Sequence, residues 1–236
     1  MEVGSLYEEP AAREEIAWGA LELHDVFKIY RSGPVETVAL RGLELRVERG
    51  EFVAVLGPSG SGKSTMLHLA AGLDEPSAGE VRAFGRSLTR LGEPELAEYR
   101  ARDVAIIFQS GNLWSALSAH ENVAISLRLA GRKNTRPDAE EALRAFGIRH
   151  VGQRAGTLSG GEQQRVAIAA AAARQAPLVL ADEPTAELDE RNEEVVLEAL
   201  RRLRDEFGST LVVATHSARV AEAADRAVEV RDGKQT

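Results

Sequence analysis

FVAVLGPSGSGKST, Phe52 to Thr65, decides the fold: a short apolar run stops on a glycine, and a glycine-rich turn then leads into a segment opening with Lys63. The run holds no polar residue, as expected of a strand buried on both faces of a parallel sheet. Gly57 to Ser64 then match G-x-x-x-x-G-K-[ST], in the strand-to-helix context that gives this pattern its meaning. Gly57, Gly60 and Gly62, with Ser59 and Ser61 between them, let the backbone turn so that several N–H groups converge on an anion at a helix N-terminus. Lys63 adds a cation for the outer phosphates of a nucleoside triphosphate. The Ser64 hydroxyl suits Mg2+, and Thr65 supports an earlier phosphate.

Further along the chain, LVLADE (Leu178 to Glu183) is an apolar strand ending in two carboxylates. Asp182 can hold the metal through its water shell, and Glu183 can reach the water that attacks the γ-phosphorus. DVAIIF (Asp103 to Phe108), TLVVAT (Thr210 to Thr215) and AVEV (Ala227 to Val230) read as further strands. Helical patterns lie between them, over Lys63 to Ala71, Ser118 to Ala130, Asp138 to Phe146, Gly160 to Gln175, Arg191 to Phe207 and Arg219 to Ala224. Before Phe52, LELHDVFKIY and VALRGLELRVERGE alternate apolar and polar residues like half-buried antiparallel strands. The expectation is an α/β fold: a P-loop NTPase core with a mostly parallel sheet, an N-terminal antiparallel β lobe, and an inserted α-helical subdomain at about 111–175. Residues 21–236 would form one domain after an acidic, flexible leader at 1–20.

Composition narrows the function. Lys+Arg 29 against Asp+Glu 37 gives a net charge of −8, which opposes broad nucleic-acid binding. Zero cysteines exclude disulfides, Cys-ligated zinc and thiol nucleophiles, so a nucleophile must be water or a hydroxyl. No stretch nears the roughly 18 to 20 apolar residues of a membrane-spanning helix, and the leader has no apolar core of a secretory signal.

LSGGEQQRVAIA, Leu158 to Ala169, opens a helix with Ser159, Gly160 and Gly161, which makes a second phosphate-binding terminus. Together with the P-loop, it resembles the signature of ATP-binding-cassette (ABC) ATPases. The resemblance covers about Leu21 to Lys234 and is nearest to the lipoprotein-releasing, macrolide-exporting and antimicrobial-peptide-exporting branch. It implies that the Ser159 terminus completes the ATP pocket of a second copy, so that two chains enclose two ATP. Gln109 resembles the glutamine that senses Mg2+ and the attacking water, and His216 the switch histidine at the γ-phosphate. Asp189 in AELD resembles the aspartate that communicates across the dimer, although Glu187 stands where a small residue is usual. Tyr30 stands where an aromatic stacks on adenine.

The resemblance further implies an integral membrane permease as partner, meeting this chain around Asn112 to Glu121, with the chain cytoplasmic and peripheral on the inner membrane face. Trp114 in that region fits either an interface anchor or core packing of the helical lobe. The competing reading keeps the ATPase but has it control an envelope enzyme through a membrane partner, transporting nothing.

Overall fold

The structure, a computed structural model, describes residues 18–109, 113–133 and 135–236. The acidic leader up to residue 17, and Asn112 at the edge of the expected partner contact, lie outside the described residues. The chain begins with β1 (Leu21–Ser32), β2 (Val35–Val47), β3 (Phe52–Leu56), α1 (Lys63–Ala70), β4 (Ala78–Ala83), β5 (Arg86–Ser87), α2 (Glu93–Arg102) and β6 (Val104–Ile107). Three helices follow without a strand: α3 (Ala119–Leu129), α4 (Thr135–Ala145) and α5 (Gly160–Arg174). It closes with β7 (Leu178–Asp182), α6 (Glu190–Asp205), β8 (Thr210–Thr215), α7 (Ala218–Ala223), β9 (Arg226–Arg231) and β10 (Lys234–Gln235).

The strands form two sheets. One is antiparallel, in the order β2-β1-β4-β5; the other is ordered β10-β9-β3-β8-β7-β6 and is parallel except for β10. Alternation along the central parallel strands explains why their interiors are apolar on both faces. Phe52, Ala54, Val179, Ala181, Leu211 and Val213 face a core shared with the helical insert and α6. Val53, Val55, Leu178, Leu180, Val212 and Ala214 face a second core against α1, α2 and the antiparallel sheet. A sheet with a core on each side favours apolar residues along the interior of its central strands, and each fully buried Val or Leu adds about 1.5–3 kcal/mol.

In the insert, α3, α4 and α5 all pack on one another. Ser118 and Ser159 cap α3 and α5 in reciprocal boxes with Glu121 and Glu162, which sets where those helices begin. The helix expected from Asp138 in fact starts at Thr135. Pro137 falls in its first turn, where a missing N–H has no intrahelical partner to lose. α2 was not foreseen: only Leu96 and Tyr99 of its residues are buried, too thin a stripe to read as helical. The packed chain reaches back to Trp18, whose ring lies 4.7 Å from the Arg82 guanidinium, and Ala20 N–H pairs with the Val47 carbonyl at 2.8 Å.

Candidate functional site

β3 delivers the chain into a loop with no room for side chains at its two ends. A Cβ on Gly57 would stand 2.2 Å from the Val230 carbonyl of β9, and one on Gly62 would stand 2.6 Å from the Ala39 carbonyl of β2. Gly62 also takes a φ of +106° as the residue preceding α1. Unlike α3, α5 and α6, α1 has no side-chain cap and no acidic residue in its first turn. Its first N–H groups and positive dipole end are therefore open to an external anion. Ser59 and Ser64 are exposed and Thr65 is half-buried. Ser61 is buried, and its hydroxyl has no hydrogen-bond partner. The Lys63 ammonium donates to the Gly57 and Pro58 carbonyls at 2.7 and 3.1 Å, so the loop wraps its own cation.

The end of β7 supplies the opposing carboxylates. Glu183 adopts a φ of +47°, a left-handed conformation that costs a non-glycine residue about 1–3 kcal/mol. Its N–H donates to the Ala214 carbonyl of β8 at 2.8 Å, which fixes the turn. The Glu183 carboxylate then lies 3.0 Å from His216 Nδ1 and 3.8 Å from Lys63 Nζ. Lys63 and Glu183 side chains are 7% and 17% exposed against 68% for His216, so the pair is sheltered and the imidazole reaches outward. Asp182, half-buried one residue earlier, and the Ser64 hydroxyl are hard oxygen donors of the kind Mg2+ prefers. Among the described residues no three acidic or histidine side chains form a complete cage. A magnesium ion here would complete its octahedron with phosphate and water oxygens, as is usual for Mg2+ at nucleotide sites.

Gln109 follows β6, and its side-chain amide donates to Glu187 Oε1 at 3.0 Å. Its carbonyl accepts from the amide of buried Gln164, on α5, at 2.6 Å. Ser159 and Asp189 sit immediately before α5 and α6. The Ser159 hydroxyl donates to Glu162 at 2.7 Å, and Asp189 Oδ1 accepts from Asn192 N–H at 2.8 Å. At the other side of the P-loop, Tyr30 is 40% exposed and its hydroxyl donates to Asp74 at 2.9 Å. Lys28 stands 2.6 Å from the same carboxylate and 4.9 Å from the centre of the Tyr30 ring. Burial raises the Tyr30 phenol and keeps it a protonated donor. Burial would also raise Asp74, but hydrogen bonds from Lys28, the Glu75 N–H and Tyr30 outweigh it and hold the carboxyl below its usual range.

A family profile described as ABC transporter matches residues 40–186, well over half of the chain. The chain belongs to the ABC transporter family. An uncharacterized ABC transporter ATP-binding protein of Thermotoga maritima is 44% identical, the match covering 91% of this chain and 92% of that one. The lipoprotein-releasing system ATP-binding protein LolD of Anaeromyxobacter dehalogenans is also 44% identical, covering 94% of each. The macrolide export ATP-binding/permease protein MacB of Syntrophobacter fumaroxidans is 41% identical over 90% of this chain, which spans 30% of that longer protein. Among solved structures, the dimeric cassette MJ0796, in a post-hydrolysis state bound to ADP and Pi, superposes with a TM-score of 0.85 at 38% identity, over 91% of this chain and 96% of that one.

As an ABC ATPase the chain assembles only part of the constellation expected from its sequence. Lys63, Glu183 and His216 come together around the open end of α1. Gln109 meets Glu187, with Gly160 lining the same cleft. Among the described residues no hydrogen bond or ion pair joins Ser159, Gly160, Gly161 or Asp189 to the Lys63 loop. Trp114 is 53% exposed, so of its two readings core packing is the one set aside. Sequence reasoning missed Gln164 and Asp74, whose partners lie 55 and 44 positions away in the chain.

The Ser159–Glu162 box makes a stability prediction. The Ser159 N–H and hydroxyl hold the Glu162 carboxyl below its ordinary value of 4.5. A carboxyl depressed on folding stabilises above that ordinary value, and the contribution disappears as pH falls through the lower folded one. Ser159→Ala should cost about 1 kcal/mol at neutral pH in urea unfolding. The stability gap between the native chain and Glu162→Ala should shrink as the titration is carried below pH 4.5. A gap independent of pH would contradict the capping account.

Proposed function

We propose that this chain is the ATP-hydrolysing subunit of an export system, working as two copies that close around two Mg·ATP and drive a separate membrane permease. The observation that carries the reading is the sheltered Lys63–Glu183 pair, with His216 on its outer side, at the uncapped start of α1. The triphosphate draws Lys63 from the Gly57 and Pro58 carbonyls, and the loop N–H groups and Ser64 hold its oxygens. Tyr30, fixed by Asp74 and Lys28, offers its exposed face to the base. Glu183 orients the attacking water and takes its proton, while His216 and Lys63 offset charge on the transferring group. Ser64, Asp182 and Gln109 would hold Mg2+, which when bound would supply charge neutralisation at the phosphate oxygens.

Two features support pairing. Among the described residues no hydrogen bond or ion pair joins the Ser159–Gly161 helix start or Asp189 to the chain's own Lys63 loop, which agrees with their serving the loop of a second copy. The relative MJ0796 is itself dimeric. Membrane coupling needs a partner, since among the described residues no helix is long and apolar enough to cross a bilayer. Export, rather than control of an envelope enzyme, is favoured by the LolD and MacB relatives. The partner surface proposed is the cleft beside Trp114, lined by Leu113, Ile125, Leu129 and Ala167, with Leu129 69% exposed.

Trp114→Ala tests that surface. An interface aromatic in a desolvated pocket contributes at least about 2 kcal/mol, roughly a thirtyfold loss of affinity. The variant should keep the ATPase rate of the isolated chain and lose co-purification with its permease. Unchanged co-purification would move the interface elsewhere.

A further inference from the structure

We infer that Glu187 is a positioning residue acting on nucleotide binding through Gln109: its carboxylate latches the Gln109 side chain to the loop between β7 and α6 and lets it go when the nucleotide pocket fills. The inference rests on the ATPase reading above and on the role given there to Gln109.

The main chain is fixed on both sides of the contact. Gln164, buried at 3% exposure, donates to the carbonyls of Phe108 and Gln109 at 3.0 and 2.6 Å, which pins the end of β6 to α5. The opposite loop is held by Ala186 N–H on the Glu183 carbonyl, Leu188 N–H on the Thr185 carbonyl, and the Asp189 cap of α6. With both backbones held, what can change is the side-chain rotamers of Gln109 and Glu187, and both residues are exposed. The 3.0 Å bond between them favours the rotamers that bring the two side chains together. Among the described residues Gln109 is the only hydrogen-bond partner of Glu187, and no cation lies within ion-pair distance of its carboxylate.

The contact has the strength a switch requires. A hydrogen bond to a charged acceptor is stronger than a neutral one, and solvent exposure weakens it again. Such a bond biases a rotamer without locking it. Gln109 Oε1, which this bond leaves free, would serve Mg2+, so the competition is for Nε2: a phosphate or water oxygen that accepts from Nε2 displaces Glu187, and the latch appears as a tax on binding. The cleft containing the pair, about 180 Å3, also takes in Gly160 at the start of α5. The latch therefore bridges the end of β6 to the loop that begins with Glu183, beside the helix terminus proposed for the second copy's nucleotide.

The test is a double-mutant cycle on the full chain, with Glu187→Ala and Glu187→Gln made in the native and Gln109→Ala backgrounds. Two quantities are read: kcat and KM for ATP from phosphate release, and ATP affinity from calorimetry, which needs no turnover. Glu187→Ala should lower KM and the dissociation constant together by about three- to tenfold, with the change in KM rather than kcat. Glu187→Gln, whose amide oxygen still accepts, should fall between it and the native chain. In the Gln109→Ala background Glu187→Ala should change neither quantity. An unchanged dissociation constant for Glu187→Ala, or an equal change with and without Gln109, would overturn the latch. The reading beneath it fails differently: a native chain that binds ATP but releases no phosphate refutes the ATPase, while calorimetry on the Glu187 variants still reports on the latch.

Discussion

Glu183→Gln should leave ATP binding intact and lower turnover on the order of 10²-fold or more. The substitution keeps the shape of the side chain and its reach to His216 Nδ1, 3.0 Å away in the native chain, but removes the group able to accept a proton from water. The backbone around it is set by the left-handed turn and by the N–H bond to the Ala214 carbonyl, neither of which involves the carboxylate. The defect should therefore appear in kcat at saturating ATP and not in folding. Phosphate release within a few-fold of the native rate would take Glu183 out of the proton-accepting role and leave only its contacts with His216 and Lys63.

Gly62→Ala should cost both stability and nucleotide affinity. The new Cβ would lie 2.6 Å from the Ala39 carbonyl and 2.8 Å from Leu40 Cδ2, on a residue already at a φ of +106°. Leu40 can rotate away, but the carbonyl belongs to β2 and moves only with the strand. Strain and overpacking together should cost about 2–5 kcal/mol in denaturant unfolding. ATP affinity should fall more than about tenfold, because Lys63 and the first N–H groups of α1 begin at the next residue. Gly60→Ala is the internal comparison: its φ is +79°, but no atom lies within 4 Å of the added methyl, so only the backbone strain applies. Equal destabilisation by the two would mean that the Ala39 contact is not what demands glycine at position 62.

The sheet was legible because burial on both faces leaves an unmistakable record. Phe52–Leu56 and Thr210–Thr215 are strands over the very residues whose apolar runs announce them. Helix starts were legible where a side chain announces the cap, as at Ser118 and Ser159, and obscured at Thr135, where Pro137 imitates a break. α2 escaped because its sequence, EPELAEYRAR, holds itself largely by terminal charge and capping and buries little. At the site, the loop glycines, Lys63 and Glu183 could be named because local chemistry demands them. The left-handed turn at Glu183, the grip of Gln164 on β6 and the support of Tyr30 by Asp74 could not, because each depends on partners brought close only by folding. Glu187 was visible as an unusual residue in AELD, but its tie to Gln109, 78 positions away, was not.

The central claim is that ATP draws two copies of this chain together and that hydrolysis parts them. Sedimentation of Glu183→Gln with and without Mg·ATP tests it most directly, since blocked turnover should let the closed pair accumulate. The account predicts a species of 25.5 kDa without nucleotide, twice that mass with ATP, and reversal on exchange into ADP. A mass that stays at 25.5 kDa while calorimetry shows ATP bound would contradict it.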